Sequence, residues 1–305
     1  MKSTVVLVLF LVCAASASAL RLPNAPKCPI FPANNPWNER VDTLPVAADS
    51  AQIIASIGLT TGLHPDFGSG LYDNEPIGIP FDVVSKTTPR YHVKFDYADE
   101  SDKGPYPIPK TVHIEGGAQS TGDRHALLVD KSSCKLYELY DLHGSGSSWT
   151  AGSGAIFDLR STRLRPAGWT SADAAGLPIL PGLVRWDGDA STGVIRHALR
   201  FTAARTRRAY VYPARHYASA SNDPSLPPMG LRVRLKASVD ISKLPPQARM
   251  VAQAMKTFGM ILADNGSSWY VSGAPSPHWS NDDLHALGTL HGSDFEVVDT
   301  SSLGP

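Results

Sequence analysis

Residues 91–115 read YHVKFDYADESDKGPYPIPKTVHIE. Two runs suited to strands, 91–97 and 111–115, flank the cluster Gly104-Pro105-Tyr106-Pro107. Pro and Gly at that density end one strand and turn the chain toward the next. The same punctuation recurs in both directions along the chain, so short runs at 81–84, 125–129, 136–141, 155–159, 183–187, 195–203, 209–213, 231–237 and 295–299 predict further strands. Such a series predicts a mainly β single domain of β-sandwich or jelly-roll type. One segment departs from the pattern. After Pro245-Pro246, residues 247–258 place Met250, Val251, Ala254, Met255 and Phe258 at helical spacing, and Gly259 closes the run. This predicts one amphipathic helix whose Met and Phe stripe is core. Residues 49–57 suit a shorter helix, and Ile261-Leu262-Ala263 with Trp269-Tyr270-Val271 suit a hairpin around Asp264-Asn265-Gly266.

At the other end, Lys2, an apolar run over residues 5–15 and Ala17-Ser18-Ala19 have the pattern of a cleaved signal peptide, residues 1–19, too short for a membrane anchor. The expectation is a secreted protein. Cys13 leaves with the leader, and Cys28 and Cys134, facing an oxidising compartment, are expected to form a disulfide. Residues 20–50, with Pro23, Pro26, Pro29, Pro32 and Pro36, are expected to run extended over the surface of a β-rich domain formed by 51–305. Removing 19 of 305 residues leaves 286, and losing Lys2 leaves 27 of the 28 basic side chains against 28 acidic ones. A net charge near −1 gives no general attraction for nucleic acid or anionic membranes, so a partner has to be chosen by a local site.

Between Ala190 and Asn222 there is no Asp or Glu, while Arg196, Arg200, Arg205, Arg207, Arg208 and Arg215 all fall inside. Arg pairs with planar anions, so this stretch suits uronate, sulfate or phosphate groups on glycans; a solvated basic turn with ordinary ion pairs is the alternative. Strand alternation places Tyr210, Tyr212 and His216 on one side unless Pro213 breaks it, whereas His197, beside Leu199 and Phe201, suits the core. The candidate catalytic residues are His216, Tyr212, Arg215 and Arg200, with Tyr210, Asp264 and Trp269 binding substrate. For a uronate, Arg215 or Arg200 neutralises the carboxylate and His216 or Tyr212 abstracts the acidified proton, the logic of a polysaccharide lyase. For a glycoside hydrolase, Glu115, Asp123, Asp158 and Asp264 supply candidate carboxyl groups. No cofactor is expected. The alternative is a divalent metal on His113, Glu115 and His125, whose spacing matches neither a close His-x-His pair nor HExxH. The Asp282-Asp283 pair suits either calcium or the cap of a short helix. Asn265-Gly266-Ser267 is a glycosylation sequon as well as a turn sequence.

The string Pro29-Ile30-Phe31-Pro32-Ala33-Asn34-Asn35-Pro36-Trp37-Asn38, together with Leu63-His64-Pro65-Asp66-Phe67-Gly68 and Asp99-Glu100-Ser101-Asp102, resembles a widespread group of microbial secreted β-rich proteins. Asp123-Arg124-His125, His197-Ala198-Leu199-Arg200-Phe201, Pro213-Ala214-Arg215-His216 and Ala263-Asp264-Asn265-Gly266 extend the resemblance over nearly the whole mature chain. It implies one integral domain and a secreted, glycan-facing role, and it transfers no catalytic residue. The expected function is therefore to act on, or bind, a cell-wall or matrix polysaccharide, anionic if the arginines read it. The non-catalytic alternative is a lectin or structural wall protein, with Trp149, Trp169, Trp186, Trp269 and Trp279 as stacking platforms or as core.

Overall fold

The computed structural model describes residues 20–188 and 190–304; the leader expected at 1–19 lies outside them. Among the described residues there are seventeen strands and three α-helices, so the chain is mainly β. Ten strands form the two principal sheets. They are β1 (His64–Asp66), β2 (Phe81–Val84), β3 (Ala126–Asp130), β4 (Lys135–Tyr140), β5 (Ser153–Asp158), β6 (Leu199–Ala203), β7 (Arg232–Leu235), β8 (Met260–Asn265), β9 (Tyr270–Ser272) and β10 (Phe295–Val297). The six-stranded sheet runs β1-β9-β6-β8-β7-β10 and the four-stranded sheet β5-β4-β3-β2. A smaller sheet joins Val93–Phe95 to Ser148–Ala151 and His143–Ser145.

Helix α1 (Ser50–Ile57) lies against β10, and α2 (Pro246–Thr257) against β7 and α3 (Asn281–His285). Pro246 suits the first turn of α2, where its missing N–H leaves no bond unmade. Val251, Ala254 and Met255 are buried as their spacing requires, and Met250 and Phe258 pack half-buried at the margin. Gly259 ends the helix at φ +68°, where a Cβ would meet the Val233 carbonyl at 2.4 Å. Ser280, rather than either aspartate, caps α3: its hydroxyl accepts from the Asp283 amide at 3.2 Å.

The four-stranded sheet is covered on both faces. Leu127, Val129 and Leu136 pack on one side with Ile30, Phe31 and Leu180, while Ala126, Leu128 and Leu139 pack on the other with Tyr106, Ile108 and Trp149. Period-two alternation along β3 accounts for this division. Residues 20–49 contain no helix or named strand, yet Leu22, Cys28, Ile30, Phe31, Trp37 and Val41 are buried, so this segment supplies core instead of merely overlying it. Cys28 and Cys134 are joined, with Cα atoms 5.1 Å apart across a separation of 106 residues. That bond pins the segment to the β3–β4 turn.

Three expected strands are absent. Over 111–115 the amides are taken up individually, His113 by the Asp82 carboxyl at 2.9 Å and Glu115 by the His125 carbonyl at 2.9 Å. Over 183–187 only Val184 bridges, to Gly273, and over 209–213 only Tyr210 bridges, to Met229. The expected hairpin of β8 with β9 is also corrected: β6 lies between them, parallel to β8 and antiparallel to β9.

Candidate functional site

Arg200 is the second residue of β6, with a side chain only 5 % exposed. Its Nε and Nη2 donate to the two Asp173 oxygens, each at 2.9 Å, and Nη1 donates to the Ser272 hydroxyl at 2.5 Å. Burial opposes this charge, but the Asp173 carboxylate outweighs it and holds the guanidinium ionised. Asp264 joins the group through a bulge. Arg200 pairs with Ile261 and Phe201 with Leu262, but the register then shifts and Thr202 pairs with Asp264. Without the shift Thr202 would face Ala263, and Asp264 would sit on the opposite side of the sheet from Arg200. The extra residue brings it to the Arg200 face, 3.5 Å from Nη2.

The Asp264 carboxyl is pushed up to about 8, first by burial and then by the negative charge of Asp173, with Arg200 opposing. It is therefore protonated at neutral pH. Its Oδ1 accepts from the Asn265 amide at 2.7 Å, and its Oδ2 from the Ala174 amide at 3.3 Å. The side chain remains 22 % exposed, and a hydrogen bond with Asp173 also raises its pKa.

Asp173 belongs to a loop that reaches both sheets. The Ala175 amide donates to the Ala263 carbonyl on β8, and the Ile179 and Leu180 amides donate to the fully buried Glu138 carboxyl on β4, at 2.9 to 3.0 Å. Burial raises Glu138 to about 7, against the lowering by these amides. Beside it, His125 Nδ1 lies 2.5 Å from Glu115 Oε2 and Nε2 lies 2.9 Å from the Ala172 carbonyl. Neither partner donates, so both ring nitrogens carry protons. Burial pulls the imidazolium down, but the charge of Glu115 and its hydrogen bond hold it up at about 9.

Above Asp264 and Asp173 opens a cavity of about 340 Å³, lined also by Tyr97, Glu100, Asp123, Tyr140, Thr170 and His216. His216 Nδ1 donates to the Ala174 carbonyl at 2.8 Å, and Nε2 lies 3.8 Å from Glu100 Oε2. The His216 ring stacks on Tyr217, which stacks in turn on Tyr210, giving an aromatic strip beside the opening.

Of the expected site residues, His216 and Asp264 meet here and Tyr210 stands nearby. Asp123 and Asn265 also line the cavity, and Arg200 lies beneath it, whereas Tyr212, Arg215 and Trp269 do not line it. Tyr212 lies in a turn closed by the Ala214 amide on the Val211 carbonyl, with its ring against Gly304. Strand alternation therefore fails between Tyr210 and His216. Arg215 donates Nε–H to the Arg165 carbonyl at 3.0 Å, and Arg200 is bound to Asp173 as described. Trp269 is fully buried between Phe201 and Phe295, its indole N–H on the Gly58 carbonyl at 2.9 Å. Trp149 and Trp279 are buried too. Asn265 lines the cavity as an exposed residue; its Oδ1 accepts from the Thr206 hydroxyl at 2.7 Å.

The metal alternative requires His113, Glu115 and His125 together, but His113 turns to Asp82 at 2.7 Å while Glu115 and His125 pair with each other. Among the described residues, no group of three or more His, Cys, Asp or Glu side chains is arranged to hold a metal ion. Glu100, Asp173, Tyr140 and Tyr217 were not singled out from sequence. Asp99-Glu100-Ser101-Asp102 was noted only as a resemblance, and no local pattern ties it to residue 216.

No helix among the described residues is long and apolar enough to cross a membrane. No family model matches the chain, and no curated protein or solved structure matches it at a significant level.

Proposed function

We propose that the protein is an extracellular carbohydrate-active enzyme that hydrolyses a glycan bond in the cavity above Asp264. The observation that carries this reading is a carboxyl group of raised pKa lining a cavity that also holds His216 and three further acidic side chains, Glu100, Asp123 and Asp173. Acid–base hydrolysis needs a proton donor at the leaving oxygen and a base that activates water. Asp264 is the donor. His216 Nε2, with Glu100 beside it, takes a proton from water as the hydroxyl adds to the anomeric carbon, and solvent restores the proton on Asp264. Tyr210, Tyr217 and Tyr97 supply ring faces suited to sugars.

On this reading the two principal sheets are the walls of a sandwich-like scaffold, supported by the 171–180 loop that hydrogen-bonds to both. The Cys28–Cys134 disulfide supports an oxidising, extracellular location. The aromatic strip favours a second reading, a lectin that holds the same glycan without cleaving it.

The test is a panel of polysaccharides read both for pull-down and for new reducing ends, with wild type beside His216→Gln. Products from wild type that vanish in the variant, with retained binding, support hydrolysis. Binding by both without products supports the lectin.

A further inference from the structure

We infer that the sugar taken at the cavity carries no carboxylate or sulfate: its substrate class is the neutral and amino-bearing glycans, not the uronate-containing ones. The inference rests on the hydrolytic reading of the same cavity, and its warrant is the charge of the cavity lining together with the partners that the neighbouring arginines already hold. Arg200 gives Nε, Nη1 and Nη2 to Asp173 and Ser272, with Asp264 also within reach. Arg165 gives Nε to the Thr170 carbonyl at 2.7 Å, Nη1 to Asp102 at 2.5 Å and Nη2 to the Glu100 carbonyl at 2.8 Å. Its guanidinium also lies over the Trp169 ring, and its side chain is only 4 % exposed. Arg215 is turned to the Arg165 carbonyl, and Arg208 to the Tyr217 hydroxyl at 3.1 Å. His125 is spent on Glu115 and Ala172.

Among the described residues no arginine or lysine lines the cavity, whereas Glu100 and Asp123 do, beside Asp264 and the Asp173 that Arg200 already pairs. An anionic sugar would therefore be desolvated beside acidic groups with no guanidinium fork lining the cavity to receive it, which disfavours its binding. A hydroxyl or an amine meets acceptors instead. Electrostatic exclusion of this kind discriminates by repulsion, without any new attractive contact.

The test compares matched glycans that differ in charge: polygalacturonate with its methyl ester, carboxymethyl- with hydroxyethyl-cellulose, and sulfated with unsulfated galactan, with chitosan and neutral glucans, mannans and xylans added. Both kcat/KM and Kd are measured. The expected result is turnover confined to uncharged or amine-bearing members, at least tenfold above any anionic counterpart. Turnover of an anionic member at an equal or higher kcat/KM overturns the inference and leaves the hydrolytic reading standing. Binding without products removes the hydrolytic reading, and the charge class of the bound members then decides the inference. If no member is bound or cleaved, both fail.

Discussion

Replacing Asp264 with Asn separates the chemistry of the cavity from its stability. In the folded protein this carboxyl titrates at about 8, whereas in the unfolded chain it ionises near its ordinary 3.8. A carboxyl whose folded value is raised contributes stability that is fully present below the unfolded value and is lost as pH rises toward the folded one. Each pH unit in that window is about 1.4 kcal/mol, so keeping Asp264 protonated costs about 4 kcal/mol at pH 7. Asparagine has nearly the same volume, never ionises and still accepts from the Ala174 amide. Asp264→Asn is therefore expected to be more stable than wild type by about 2–4 kcal/mol at pH 7, with the gain vanishing near pH 4. Urea denaturation from pH 4 to 8 reads this as a rise in midpoint at constant slope. Loss of the proton donor is expected to lower kcat/KM by about 10²–10⁴-fold. A variant no more stable than wild type at pH 7, with no pH dependence in the difference, would refute the reasoning, because the carboxyl would then be ionised in the fold and could not act as the acid.

Glu115→Gln removes the charge that holds His125 at about 9. Because the folded histidine value is raised above 6.5, the stability it confers is full below that pH and is lost as pH rises through 9. The variant is expected to lose about 3 kcal/mol at pH 6 and little at pH 10, measured by denaturation at both. Cys28→Ser or Cys134→Ser opens a loop spanning 106 residues, for which chain entropy gives a loss of about 5 kcal/mol at 25 °C, read from thermal or urea midpoints. Trp269→Ala is expected to cost about 3–5 kcal/mol as a cavity in the core, while a folded, lower-melting sample keeps its glycan affinity. Tyr212→Phe should leave kcat/KM within about twofold, as for a surface change that touches no reacting group; a loss of a hundredfold or more would return this tyrosine to the site.

What the sequence made legible depended on whether a signal was local. The stripe from Met250 to Phe258 is a property of the twelve neighbouring residues 247–258 and forecast α2 within a residue at either end. Runs such as 81–84 and 136–141 also became strands, rich in apolar residues of both parities as suits a sheet covered on both faces. Residues 111–115 have the same composition, but a side chain on β2 captures the His113 amide before a ladder can form. For the site, His216 and Asp264 were visible as residue types. Their meeting was not, because it depends on one extra residue in β8 opposite the Phe201–Thr202 step and on a loop 90 residues before Asp264. The arginine-rich stretch misled for a related reason: Arg200, Arg207, Arg208 and Arg215 each find a separate partner, three of them on other parts of the chain than the acidic gap in the sequence suggests.

Arg200 acquires a role different from binding an anionic ligand. Its guanidinium holds Asp173, a side chain with no exposure at all, by two hydrogen bonds. The fixed charge of Asp173 is then a principal reason, after burial, that Asp264 keeps its proton. A second carboxyl at close range disfavours ionisation of the first, and the arginine sits on the Asp173 side of the pair. The loop bearing Asp173 is itself held by amides on Glu138 of one sheet and by Ala263 of the other, so the position of the controlling charge is set by both walls together. A lone acid on a surface strand would be ionised at neutral pH; the pKa of this one is raised because the loop hydrogen-bonded to both sheets places Asp173 beside it.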